Sequence, residues 1–461
     1  PFDFVSGFEV IKAENDSEKK QKMLDDLNGL MRNFQENYLM TARDFAQWGA
    51  YEDAVLVLKQ CTKKYPMLYY YAAYYEEKMG EDEAAKKSLE KAESCAFDYC
   101  FPNKLDDIAV LTFAIENGCK KKAPYYLGNL FYDKLQWKKS VELWEMSEKA
   151  DDTFSIVHRN LALAYYNKMG DSKAAKRELE KAFSLNRKDA RIFLELDQLY
   201  KKLGYSFKER LAKYDEDPSL AESRDDLYIE YITLMNMCGE YERAYRCIMG
   251  RRFHPWEGGE GKITTQYTIS LLEMAKQCLA SEKYEQAEKL LKKALVYPEN
   301  LGEGKLEGTK DNHLFYHLGL ALEAQGKHDE AKTCFETATI GTDEPAGAMY
   351  YNDQPADMIL YQGLAFEKLG KTREAKSRFY RLIDYGEQHL NDEGKIEYFA
   401  VSLPDFLIFD EDYTKKNRAH CCYLMALGNI GLQNREKAAE FLNEALEIEP
   451  SHMMATLYQK Q

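Results

Sequence analysis

Twelve consecutive residues concentrate more chemistry than any other stretch of the chain. Arg251-Arg252-Phe253-His254-Pro255-Trp256-Glu257-Gly258-Gly259-Glu260-Gly261-Lys262 holds two guanidinium groups, an imidazole, an indole and two carboxylates. Arg and Trp are enriched at interface hot spots, and an aromatic ring beside polar groups also suits a sugar. Arg251, Arg252, His254, Trp256 and Glu257 are therefore candidate partner- or ligand-binding residues. The competing expectation is a loop whose Trp packs between helices and whose arginines cap the preceding helix. The stretch is not a phosphate loop, which would need Gly at 256 and Thr at 263, where the sequence has Trp and Ile. A second candidate set is Tyr350, Tyr351, Asn352 and Gln354, within Met349-Tyr350-Tyr351-Asn352-Asp353-Gln354-Pro355. These side chains can donate and accept hydrogen bonds toward a ligand; the plainer alternative is a solvated turn.

Other constellations carry less. His313 and His317 have metal-ligand spacing on a helix. The intervening Leu314-Phe315-Tyr316 lacks the glutamate of a metalloprotease, and no further His or Cys is placed to join them, so no metal is expected. Lys120-Lys121-Lys122 reads as a solvated turn. Leu403-Pro404-Asp405-Phe406-Leu407-Ile408-Phe409 is apolar and is expected to pack on its own fold. No Ser, Cys or His stands in a nucleophile motif. No catalytic residue is assigned, no cofactor is expected, and the chain is read as a non-enzyme.

Those residues must be positioned by helices. The 461 residues include only 11 Pro, with 34 Tyr and many Leu, Ala, Glu and Lys, a composition that favours helix. The net charge of −15 argues against a nucleic-acid backbone as partner. No apolar run is long enough to span a membrane. Ten cysteines without a Cys-x-x-Cys point to reduced thiols and a cytoplasmic location. The chain opens Pro1-Phe2-Asp3-Phe4, without an initiator Met, which raises the expectation of a piece of a longer protein.

A repeat dominates. With a loop position set to zero, a small residue follows at plus five, a bulky apolar one at plus nine and another small one at plus twelve. Gly80 leads to Ala85, Leu89 and Ala92; Gly170 to Ala175, Leu179 and Ala182; Gly326 to Ala331, Phe335 and Ala338. Gly370 leads to Ala375, Phe379 and Leu382, Gly49 to Ala54 and Leu58, and Gly239 to Ala244 and Ile248. Leu135, Glu282 and Gln433 hold the zero position in three further units. Gly128, Gly319 and Gly363 lie seven residues before zero, where a small residue lets two helices approach closely. Apolar spacing of three and four on both sides gives two amphipathic helices per unit.

This pattern resembles the tetratricopeptide repeat family, from about Asn33 to Ser451. The resemblance implies an all-α, right-handed α-solenoid of helix-turn-helix repeats, with first helices lining a concave face where Tyr69, Tyr70, Tyr71, Tyr74 and Tyr75 would be groove or core. A degenerate unit is expected around Gly204 and an irregular helical insert from Phe101 to Cys119. The zero positions 135, 170, 204 and 239 are spaced by 35, 34 and 35; those at 239, 282, 326 and 370 by 43, 44 and 44. The extra residues, Gly250–Lys262, Tyr297–Asn312, Ile340–Asp357 and Gly386–Lys416, form long joints of the kind that carry binding in solenoids. The expected organisation is a partly helical segment 1–32, a repeat array 33–222 and a second array 223–461 with long joints. The Arg-Arg-Phe-His-Pro-Trp stretch, with these expanded units, also resembles the C-terminal repeat region of large bacterial proteins carrying a β-rich domain upstream. The expected function is a scaffold that binds a protein or peptide segment, or its own upstream domain, on the concave face. The alternative is an accessory carbohydrate-binding module serving an upstream catalytic domain.

Overall fold

The computed structural model describes residues 3–254, 256, 258–347, 354–394 and 408–460. It comprises two compact units, Pro1–Asn186 and Arg187–Gln461. The first contains α1 (Phe4–Ala13), α2 (Ser17–Met31), α3 (Gln35–Gln47), α4 (Tyr51–Gln60), α5 (Pro66–Lys78), α6 (Asp82–Ser94), α7 (Leu105–Glu116), α8 (Lys122–Asp133), α9 (Trp137–Ala150), α10 (Ser155–Ala164) and α11 (Ser172–Leu185). The second contains α12 (Ala190–Lys202), α13 (Phe207–Asp215), α14 (Pro218–Glu222), α15 (Asp225–Met237), α16 (Tyr241–Met249), α17 (Lys262–Ala280), α18 (Tyr284–Ala294), α19 (Asn312–Ala324), α20 (His328–Ala338), α21 (Met358–Lys368), α22 (Thr372–His389), α23 (Tyr413–Gly431), α24 (Arg435–Ile448) and α25 (Met453–Gln459). Helices pair in sequence order: α3 with α4, α5 with α6, α8 with α9, α10 with α11, and in the second unit α15 with α16 through α23 with α24. The result is an all-α repeat solenoid. The insert after Phe101 is indeed helical, and α7 lies against both α5 and α8.

The turn between paired helices explains the repeat. All ten zero positions take a left-handed backbone: Gly49, Gly80, Gly170, Gly204, Gly239, Gly326 and Gly370, and also Leu135, Glu282 and Gln433. A glycine enters this region without penalty, whereas a side chain there costs about 1–2 kcal/mol. The tight turn sets the second helix onto the first. Ala54, Ala85, Ser140, Ala175, Ala244, Ala287, Ala331, Ala375 and Ala438 are all buried at that contact. The bulky residue nine after the turn reaches back across the pair. Where it is aromatic, its partner seven before the turn is glycine. A Cβ on Gly128 would stand 2.5 Å from the Trp144 ring, one on Gly319 2.5 Å from Phe335, and one on Gly363 2.2 Å from Phe379. Where it is Leu, the partner is Ala in the units of Gly49, Gly80, Glu282 and Gln433, as in Ala73 with Leu89 and Ala275 with Leu291; the unit of Gly170, whose first helix ends in a π-turn over Tyr165–Met169, has Leu163 at that place instead. In these Gly–aromatic and Ala–Leu units the summed volume across the pair is held nearly constant, as close packing requires; the unit of Gly239, with Ile232 and Ile248, departs from it.

The degenerate unit solves the same contact with charge. Asp197 occupies the place seven before Gly204 and is buried. Arg210, also buried, donates to it through Nε (2.8 Å) and Nη2 (2.7 Å) and reaches Glu230 with the same Nη2 at 2.5 Å. Tyr214 Oη donates to Asp197 at 3.0 Å. This network joins α12, α13 and α15, so the degenerate unit packs with the second array. The boundary between the compact units falls at 186/187, ahead of this network.

Candidate functional site

The first helices α15, α17, α19, α21 and α23 of the second unit lie side by side. Their common face is filled by the last helix of the chain. In α25, Leu457 packs in one buried apolar cluster with Met237 of α15 and Ile269 of α17. Tyr458 Oη donates to Tyr361 Oη of α21 at 2.7 Å. The Tyr423 ring of α23 lies 4.9 Å from His452, whose Nδ1 caps α25 by accepting from Ala455 N. Gln266 Nε2 approaches Met453 Sδ at 3.7 Å, and Lys460 Nζ donates to the last carbonyl of α15, on Met237. The cation therefore sits at the negative end of a helix. One short helix meets the first helices of four pairs, so this face of the second unit curves around it. Pro450 likewise lies against Gly204, and Lys202 pairs with Glu411.

Behind α25 the lining is polar and buried. Lys276 pairs with Glu273 at 2.7 Å. Asp357 is buried beneath Tyr423, whose hydroxyl lies 3.5 Å away, and burial pushes its carboxyl up to about 6. Burial, with repulsion from Lys276, pushes both His313 and His317 down to about 3. His317 Nδ1 bonds to the carbonyl of His313 at 2.7 Å, so the two imidazoles do not converge on a ligand.

The loop candidates behave differently from one another. Arg251 donates to the last carbonyl of α14, on Glu222, at 3.0 Å, pairs with Asp225, and lies 4.7 Å over the Tyr228 ring. It acts as a clamp between α14 and α15. His254 bonds the same carboxylate through its backbone N–H (2.9 Å) and its ring (3.2 Å), yet its side chain is 78% exposed. Phe253 is buried, and its N–H donates to Asn300 O at 2.8 Å, which ties the joint 250–262 to the joint 297–312. Half-buried Trp256 lies on Gly259, where a Cβ would fall 2.1 Å from the indole, and Lys262 sits 5.9 Å from its ring centre. Arg252 is exposed. Gln354 is buried and pins the next joint, donating to Thr342 O at 2.7 Å and accepting from Thr342 N at 2.9 Å. Glu257, Tyr350, Tyr351 and Asn352 lie outside the described residues, as do 403–407 of the apolar joint; Phe409 at its end is buried. Among the tyrosines, Tyr70, Tyr71 and Tyr75 are core, with Tyr71 donating to buried Asp107 at 2.6 Å, while Tyr69 and Tyr74 are half-buried.

One cluster had no signal in the sequence because its members come from three helices. Glu148, His158 and Glu178 bring possible ligand atoms within 4.8 Å of one another. His158 already uses both nitrogens: Nδ1 meets Glu178 at 2.7 Å and Nε2 meets the Asp152 carbonyl at 2.8 Å. Both neighbours are acceptors, so both nitrogens carry protons and the ring is an imidazolium. Burial is the largest single effect and works against that charge, but the hydrogen bonds to Glu178 and Asp152, with the charges of Glu178 and Glu148, together outweigh it and the His158 pKa is raised. The cluster is an ion pair; a metal would have to displace a proton from it.

Family models described as the tetratricopeptide repeat match residues 160–189, 313–339, 419–452 and 357–385. The chain carries tetratricopeptide repeats at these four stretches. Similar solved structures include a tetratricopeptide repeat protein from Parabacteroides merdae (18% identity over 62% of this chain and 98% of that one, TM-score 0.26). The P58(IPK) TPR domain matches at 13% identity over 80% and 99% (TM-score 0.25). The Naa15/Naa10 structure bound to HypK-THB matches at 13% over 92% and 60% (TM-score 0.33). Scores this low carry no argument. Repeats of this kind support a protein-interaction scaffold. No helix among the described residues is long and apolar enough to cross a membrane.

Proposed function

We propose that this chain is a non-catalytic scaffold that holds a helical segment of a partner protein, or of an upstream domain, on the first-helix face of its repeats. The observation that supports this is the seat of α25. Four first helices bury Leu457 and Tyr458 and answer Lys460 with a helix-end carbonyl. Apolar and aromatic anchors with a few placed polar contacts are the means by which a groove takes a helix. The exposed side of the joint 250–262, with Arg252, His254 and Trp256, supplies a second contact surface in this reading. Glu257, Tyr350, Tyr351 and Asn352 belong to the same long joints. All ten cysteines are free thiols, which suits residence in the cytoplasm.

The test is selection of a proteome-derived peptide library on the immobilised chain, run beside a glycan array. Enrichment of peptides sharing a helical apolar-aromatic ridge is expected. Glycan binding that is lost in Trp256→Ala, with no peptide enriched, would overturn the proposal in favour of the carbohydrate module.

A further inference from the structure

We infer that α25 is an exchangeable occupant of the inner face of the second unit, and that the partner it stands in for is a longer helix with the same ridge. The ridge is Met453, Leu457 and Tyr458, with Lys460 at the end. This rests on the reading that the first-helix face holds helical segments, and it adds the partner's chemistry and the way access is regulated.

Three observations lead to it. First, α25 is seven residues long, below the length at which a helix holds by itself in water, so it is helical because it is seated. Second, its contacts are those of a ligand. Only Ala455, Leu457 and Tyr458 of the helix are buried, and they rest on α15, α17, α21 and α24. The second helices of the pairs, such as α16 and α18, complete their packing within their own pairs and with neighbouring first helices. Third, its receptor is ready-made. Met237 and Ile269 offer an apolar floor, Tyr361 and Tyr423 a pair of hydroxyls, and the α15 carboxyl end a site for a cation. A tethered occupant competes at an effective concentration on the order of millimolar. A partner helix must therefore run beyond α25 and gain contacts that the short helix lacks. Its ridge carries Met, Leu-Tyr four residues on and Lys two beyond, matching the spacing of α25 itself.

The experiment uses the full chain and a fluorescein-labelled peptide of residues 449–461 as the probe. Leu457→Asp puts a carboxylate against Met237 and Ile269 and should unseat α25. The expected result is peptide binding about tenfold tighter than to the unaltered chain, with amide exchange rising across 453–459 while α16 and α18 stay protected. Tyr458→Phe, which removes the hydroxyl bonded to Tyr361, should give a smaller change in the same direction. A Leu457→Asp chain that keeps its helical content but binds the peptide no better than the unaltered chain would overturn the inference. So would one that loses most of its helix, since an exchangeable occupant cannot hold the unit's fold. Either failure leaves the scaffold proposal intact if the library still yields helical ligands for the unaltered chain.

Discussion

The sharing of volume between the Gly–aromatic and Ala–Leu pairs can be tested at Gly319 and Phe335. In Gly319→Ala the new Cβ would lie 2.5 Å from Phe335 Cε1, 2.8 Å from Cδ1 and 2.9 Å from Cζ. All three are closer than unbonded carbons sit, and Phe335 is 3% exposed, so the ring has nowhere to retreat. Overpacking of this kind costs about 1–3 kcal/mol. Removing a helical glycine returns about 1 kcal/mol. The net expectation is a loss of up to about 2 kcal/mol. Phe335→Leu alone leaves a void and loses roughly 1–2 kcal/mol. Combined, the two recreate the Ala–Leu pairing that Ala275 with Leu291 and Ala426 with Leu442 already use with full burial. In the Phe335→Leu background the alanine should therefore stabilise by about 1 kcal/mol. The coupling between the sites, about 2 kcal/mol, lies within the range for residues in contact. Urea unfolding of the four chains, followed by far-UV circular dichroism with amide exchange on α19 and α20, measures it. Additivity within about 0.5 kcal/mol, or a stabilised Gly319→Ala single variant, would refute the volume-sharing account.

Three further outcomes are expected. Arg210→Leu strands the buried carboxylate of Asp197 and should cost the second unit about 3–5 kcal/mol, with partial recovery in the Arg210→Leu, Asp197→Leu double variant; equal stability of single and double variants in urea would contradict the network's role. Leu135→Gly, Glu282→Gly and Gln433→Gly relieve left-handed backbone and should each raise stability by roughly 0.5–1 kcal/mol after the glycine's extra unfolded-state entropy, seen as higher melting temperatures; Gly326→Ala should do the reverse. The two units should respond oppositely to mild acid. Burial holds His313 and His317 down to about 3 and His420 and His452 to about 4, below the unfolded value near 6.5. The second unit should lose stability as pH falls below about 6.5. Asp357, raised to about 6, opposes this over its own narrower range, as do Asp197, Glu303 and Asp311, whose carboxyls burial also raises, while the carboxyls of Glu230 and Glu288, held low by neighbouring cations, add to the loss at lower pH. His158, with its raised pKa, contributes stability to the first unit that is full below about 6.5 and lost as pH rises through its folded value. Amide exchange of each unit between pH 7.5 and 5 checks both signs, and rising protection of the second unit on acidification would count against the reasoning.

The repeat was legible because a solenoid is built from local contacts. A turn, the helix before it and the helix after it lie within a few tens of residues, so their size and backbone demands recur as a period. Even Leu135, Glu282 and Gln433, which are not glycines, could be placed in the turn by the small and bulky residues that follow them, and each has the left-handed backbone that register requires. The rest depends on residues far apart in the chain. Arg251 looked like an interface anchor, but it meets Asp225 and the end of α14 only once the joint has folded back. Gln354, chosen for its hydrogen-bonding capacity, directs that capacity to Thr342. Asp197 and Arg210 read as ordinary surface charges of a weak repeat until packing removes them from water and joins them. Beyond Pro450, Met453–Gln459 form another helix, outside the repeat register that ends at about Ser451. Where that helix goes is a matter of curvature, accumulated over five pairs, and no local pattern encodes it. The amino-acid sequence by itself determined the helices, their turns and the small-to-large fit within each pair, because those are settled between neighbours. Only the tertiary structure decided that the inner face of the second unit is already occupied, because that depends on where small rotations between many pairs bring the end of the chain.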